Sequence, residues 1–359
     1  MFKEKYASIL PEYEKFWERK NTGRPILALG YSIDAPAFKE PDSLEQKWLD
    51  EKYILDKFRY SQNRIENKRG YVAEGLPSLF TNLGPGCLSA CIGGSYELTP
   101  QTIWFDGAPI ISDWENPPEI SFNRDSEMWQ HITRLQNHFS SDPDVNFSIT
   151  DLGGILDIVA SLRSPDSLLY DLYDYPDEVK EFTAKVKKFW LEAFDEQIEF
   201  IRKTGQPFNN WLNIPSEKPW YPIQCDFSYM ISPAHFEEFV LGDVKEQVDH
   251  MERSIFHLDG VGEIPHLDML LDIPGLTGIQ WVPGAGQHSV RHQCWHDMYR
   301  KIQDKKKNLV LGGGLSEYDL EGSERLIKSI DPTGVYISAN FSSRDSAERM
   351  LENILKWLG

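Results

Sequence analysis

His257 and Asp259 stand two residues apart in the run Ser254-Ile-Phe-His-Leu-Asp-Gly260. At that spacing on a strand, an imidazole and a carboxylate share one face. Together they can bind a divalent cation, or act as a general acid with its orienting base. The plainer reading of the same spacing is a hydrogen-bonded pair that satisfies two buried polar groups. A second apolar run, Gly278-Ile-Gln-Trp-Val-Pro-Gly284, brings Gln280 and Trp281 to its end. A strand packs without ionisable groups at its tip, whereas a site assembled from strand ends depends on them. The pattern predicts a pocket at the C-terminal ends of consecutive parallel strands.

Other polar residues fall near the ends of apolar runs: Tyr31, Asp151, Asn213, Gln224 and Asp226. Each alone reads as a cap or turn residue. Together they resemble a ring of hydrogen-bonding groups around a small polar ligand. Trp211 and Trp281, with Tyr229 and Trp104, are candidate walls, plain core packing being the stronger expectation for Trp104. Aromatic faces hold quaternary ammonium groups and equally stack on a methoxylated ring. Asn82-Leu-Gly-Pro-Gly86 reads as a lid or as an ordinary tight turn.

The remaining histidines carry weaker signals. His266 and Asp268 repeat the His-Leu-Asp order after Pro265 and predict a helix start, with His266 capping it or lining a rim. His288, His292 and His296 recur every four residues, which suits a solvated helix stripe better than a zinc pair, with Cys294 facing away. No Gly-x-Ser-x-Gly elbow occurs, and nothing marks an activated Ser or Cys nucleophile.

The elements that must position these groups follow from periodicity. Helical spacing covers 4–19 and 43–66, with the strand Pro25–Ser32 between them. A Gly-, Pro- and Trp-rich stretch over 76–120 suits irregular connections above a pocket. Regular alternation begins at 146: a strand and loop, a helix over 155–163, a long helix from Pro176 to about 203, and a strand over Phe208–Pro215. Ser232-Pro233 opens another helix. Strands near 254–259, 277–282, 308–313 and 335–340 follow, and an amphipathic helix spans 343–358. Repeated strand–helix alternation implies a parallel sheet, and about eight strands favour a closed (β/α)8 TIM barrel. We expect one domain over 1–359, with 1–75 an N-terminal helical extension plus first strand and 76–145 a loop-rich insertion over the pocket.

Composition narrows the partners. The 359 residues carry 37 basic and 56 acidic groups, a net charge of −19, which argues against nucleic acid or an anionic membrane. No apolar run reaches the ~18 residues of a membrane span, and the N-terminal residues show no secretory segment. Four cysteines in so large a chain form no disulfide framework, so reduced thiols and a cytoplasmic location are expected.

The run Gln224-Cys-Asp-Phe-Ser-Tyr-Met-Ile-Ser-Pro-Ala-His-Phe-Glu-Glu-Phe-Val-Leu241, then Phe256-His-Leu-Asp-Gly260 and the last strand, resembles the uroporphyrinogen decarboxylase superfamily. Within it, the chain is similar to the corrinoid-dependent methyltransferase branch. The resemblance covers roughly residues 145–359 in order, and the first third only in general character. It implies a TIM barrel with its pocket at the strand C-termini. Decarboxylases of the superfamily hold a polycarboxylate through N-terminal arginines, but here only Arg19 and Arg24 precede Arg59, a poor clamp for such a substrate.

Thiol-methylating members bind zinc through a His-x-Cys matching His257 and Asp259, plus a later Cys near the last strand. Here the Cys position is Asp259, and Tyr336-Ile-Ser-Ala-Asn340 contains no Cys. Either zinc is held by N and O ligands such as His257 and Asp259, or no metal is needed. The resemblance implies a methyltransferase that moves a methyl group between a small methylated substrate and a corrinoid carried by a separate protein. A homodimer is compatible with the sequence. In that reading His257 and Asp259 activate the leaving group, directly or through zinc. Asn213, Gln224, Asp226 and Gln280 position the substrate, and Trp281 walls it. A decarboxylase or other lyase on a small carboxylate, with Asp226 or Asp259 handling a proton, and a non-catalytic small-molecule-binding barrel stay open as alternatives.

Overall fold

The apolar runs of the sequence become strands in the computed structural model, which describes residues 2–33, 36–68, 70–105 and 107–359. They are β1 (Ile26–Tyr31), β2 (Tyr71–Ala73), β3 (Leu79–Phe80), β4 (Glu97–Leu98), β5 (Ile103–Trp104), β6 (Phe147–Ser148), β7 (Trp220–Gln224), β8 (Arg253–Asp259), β9 (Gly278–Val282), β10 (Asn308–Gly312) and β11 (Val335–Phe341). The order β1-β11-β10-β9-β8-β7 is parallel throughout, and β2 joins β1 antiparallel at the edge. β3 and β6 form a separate parallel pair, and β4 with β5 a short antiparallel one. This is a mixed α/β fold around a parallel sheet. The hydrogen-bonded ladder of the described residues stops short of the closed eight-stranded ring expected from the strand count.

Helices connect the parallel strands, among them Ile155–Arg163, Pro176–Thr204, Leu320–Ser329 and Arg344–Leu358. Pro at the first turn starts Pro176–Thr204, and Gly205 at φ +70° ends it in the left-handed region that glycine tolerates. Ser343 caps Arg344–Leu358 by accepting from the backbone N–H of Ser346.

The first helix, Phe2–Trp17, closes the N-terminal ends of the strands. Glu14 pairs with Arg253 at 2.5 Å, the Phe16 carbonyl accepts from Asn308, and Trp17 packs edge-on against Trp220 at 4.7 Å. All three partners are first residues of strands. This helix covers the N-terminal ends of β7, β8 and β10.

Two local expectations are corrected. Phe208–Pro215 is a turn, touching the sheet pattern only through a Phe208–Ser216 bridge. Its asparagines bond the local backbone: Asn209 accepts from the N–H of Asn210, Asn210 from that of Leu212, and Asn213 sits at φ +53°. Side-chain competition of this kind breaks a ladder despite the apolar residues between. Nor do His288, His292 and His296 share a helix face. His288 and His292 stack in the turn before the helix His296–Asp304, and Cys294 lies 3.0 Å from His292 rather than turned away. Among the described residues, no helix is long and apolar enough to cross a membrane.

Candidate functional site

Register, rather than proximity in sequence, assembles the site. Gln224 of β7 pairs with His257 of β8, which pairs with Gln280 of β9. Paired residues of parallel strands present side chains to the same face, so these three form one row. The row continues through Val310, Tyr336 and Ile26, and Tyr13 and Phe16 of the first helix pack near Tyr336. The polar members therefore occupy the β7–β9 sector. Asp259 lies on the same face as His257, one step nearer the strand C-terminus.

His257 Nδ1 is 2.7 Å from Gln280 Oε1, so the ring donates there and turns the Nε2 lone pair towards Asp259, whose Oδ2 is 3.8 Å away. Asp226, in the short 3-10 turn after β7, completes a cluster. One donor atom from each of Asp226, His257 and Asp259 lies within 4.8 Å of the others. Trp211 packs edge-on against the imidazole at 4.9 Å.

A cavity of about 250 Å³ adjoins this triad, shares Asp226 with it, and is also lined by Gln224. Trp104, Phe105, Phe227 and Met230 supply aromatic and thioether surface, and Asp157 a carboxylate. The loops carrying Gly86 and Gly153 meet at one side. A Cβ on Gly153, at φ +83°, would stand 2.5 Å from the Gly86 Cα, so this wall requires glycine.

Acids crowd the region. Asp157 accepts from the N–H groups of Asp226 and Phe227 at 3.0 and 2.8 Å, which fixes the turn that carries Asp226. Burial, reinforced by Asp226, pushes the Asp157 carboxyl up to about 7. Burial likewise raises Asp151 to about 6, against the hydrogen bonds it accepts from Gly153 N–H and Tyr221 hydroxyl. Glu263 is fully buried. Its Oε2 accepts from Asp259 N–H at 3.0 Å, and its Oε1 has no partner, so burial pushes it up to about 10 and keeps it neutral. Asp226 is solvent-accessible, but the desolvation of the cleft raises its carboxyl, Asp259 adds to the rise, and His257 opposes it.

Several residues expected at the site lie elsewhere. Trp281 pairs with Leu258 and Leu311 on the opposite face of β9, fully buried and edge-on to Trp295, so it does not wall the cavity. Tyr31 faces away from the row because it follows Gly30, which shares the row's face with Ile26. Asn82 accepts from Gly84 N–H and lines a different cavity, of about 340 Å³, with Lys47, Trp48 and Tyr53. Asn213 spends its amide on the Leu76 carbonyl and on Asn209. Asp151 anchors the Gly153 loop from behind. His266 is buried, stacked on Phe236 and bonded to the Ser228 carbonyl, and forms no rim.

In the other direction, Trp104 is half-exposed and lines the cavity instead of packing in the core. Tyr229 covers Gly260 and Gly262, where any Cβ would stand 2.8 Å or less from it. Asp157 and Glu263 carry no local sequence signal that marks them for the site. Asp157 reads as an ordinary acid in a helix first turn, and its partners lie 69 and 70 residues on.

Neither family models nor curated proteins match this chain. Among solved structures, a methyltransferase from Methanosarcina mazei superposes with a TM-score of 0.61, covering 97% of this chain and 98% of that one at 11% identity. At that identity the likeness establishes a shared α/β fold, and the chemistry has to be argued from the site itself.

Proposed function

We propose that the protein is a methyltransferase that moves a methyl group between a small methylated compound and a corrinoid carried by a separate protein. The scaffold in this reading is a (β/α)8 barrel of the uroporphyrinogen decarboxylase type, with β3 and β6 standing between β1 and β7. The observation that carries the proposal is the Asp226–His257–Asp259 triad at the C-terminal strand ends of a fold shared with a methyltransferase.

The donor set fits a divalent cation such as zinc: one imidazole nitrogen and two carboxylates converge, and Gln280 fixes the imidazole tautomer from behind. A cation held there would supply Lewis acidity to a substrate atom that carries a lone pair. Everything else falls to the chain. Asp226, His257 and Asp259 would hold that cation beside the leaving atom. Gln224 offers an amide to the substrate, and the cavity walls keep the methyl carbon in line with an acceptor approaching from the open side. The alternative of a lyase acting on a carboxylate is disfavoured, because Asp157 and Asp226 line the cavity and no Lys or Arg does.

The test combines elemental analysis of the purified protein with transfer of a labelled methyl group to a reduced corrinoid. Stoichiometric divalent metal, and a loss of transfer of at least about a hundredfold in His257→Ala, are the expected results. Carbon dioxide release from a small carboxylate with no corrinoid present would overturn the assignment.

A further inference from the structure

The cavity beside the triad has a charge pattern of its own. Its lining includes the acids Asp157 and Asp226 and no Lys or Arg, and the His257 imidazole stands beside Asp226 in the triad. Asp226 accepts no hydrogen bond among the described residues. Gln224 is 6% exposed, and its amide opens on the cavity with no hydrogen-bond partner among the described residues. An amide that opens on a cavity with no protein partner is free to meet a ligand. Around these polar groups stand Trp104, Phe105, Phe227 and the Met230 thioether.

From this arrangement we infer that the cavity binds a small quaternary methylammonium cation, which deepens the methyltransferase reading by naming its substrate class. Three features of the cavity select that chemistry. Aromatic faces attract a diffuse cation through the ring quadrupole. Such a cation has no N–H to satisfy, so apolar walls suit its methyl groups, and its charge favours the ionised form of the Asp157 and Asp226 carboxyls beside it. The Gln224 amide then serves a polar substituent on the same molecule. At about 250 Å³ the space lies below the ~300–1,000 Å³ of drug-sized pockets, which limits the ligand to a compact one. Carboxylate substrates meet acidic walls without a Lys or Arg to pair them, and uncharged methyl ethers gain nothing from the two acids.

Calorimetric titration of the full chain with tetramethylammonium, choline and 3,3-dimethylbutan-1-ol, the uncharged carbon isostere of choline, tests the inference. The expected result is that both cations bind, choline at least about tenfold tighter than the isostere. Trp104→Leu, at a half-exposed position that does not threaten the fold, should weaken choline about threefold to thirtyfold. Equal or tighter binding of the isostere, or no binding by any of the three, would overturn it. The two readings fail separately. Methyl transfer to a corrinoid from an uncharged donor, with no cation binding, keeps the function and removes this inference. Cation binding with no methyl transfer does the opposite.

Discussion

Gln280 Oε1 lies 2.7 Å from His257 Nδ1, joining the ends of two adjacent strands through side chains that share a register position. The bond fixes which imidazole nitrogen faces Asp226 and Asp259. Replacing Gln280 by Leu removes the orienting acceptor while keeping similar bulk on a buried strand. Divalent-cation affinity, read by titration of the metal-free protein, is expected to fall about 10–100-fold. Urea denaturation should show the fold retained. An unchanged affinity would mean that His257 does not depend on Gln280 for its orientation.

Trp281 and Trp211 separate packing from function. Trp281→Ala empties a fully buried position and is expected to cost about 3–5 kcal/mol in urea unfolding, with cation affinity of the folded fraction preserved. Trp211→Ala removes the ring packed edge-on to His257 and should instead alter the His257 imidazole resonances in NMR spectra. A reversed pattern would place Trp281 at the site after all.

Stability should fall as pH rises above the ordinary carboxyl range. Asp151, Asp157 and Glu263 sit at about 6, about 7 and about 10 in the folded chain, all above the ~4 of an exposed carboxyl. Between those values the folded chain keeps protons that the unfolded chain releases, so deprotonation favours unfolding. The urea midpoint should be lower at pH 8 than at pH 5, and Glu263→Gln should flatten the difference. A midpoint that rises over this interval would contradict the buried-acid picture.

Gly260 holds φ +93° with the Tyr229 ring lying over it. Gly260→Ala adds a Cβ that would stand 2.8 Å from that ring, in a backbone conformation that L residues rarely adopt. An expected loss of about 1–3 kcal/mol, with displacement of Tyr229 seen as a change in its NMR signals, follows. A neutral substitution would show that this turn relaxes freely.

Sequence alone determined the parts that depend on local pattern. Apolar runs bounded by Gly and Pro located β1 and β8 to β11 within a residue or two, the helix Ile155–Arg163 lies where the alternation of elements puts it, and Pro176 marks the start of Pro176–Thr204. The spacing of His257 and Asp259 put both on one face, because strand side chains alternate. Local pattern misled where side chains competed with the ladder, as in the Asn-rich turn after Phe208. It also could not choose between Gln280 and Trp281, neighbours on one strand whose faces are set by the strands beside them. Tertiary structure decided the rest. It joined Asp226 to His257 and Asp259, brought Asp157 to the backbone of a turn some 70 residues away, and buried Glu263 behind Asp259. Those relationships depend on register and loop packing between distant segments, and no window of sequence contains them.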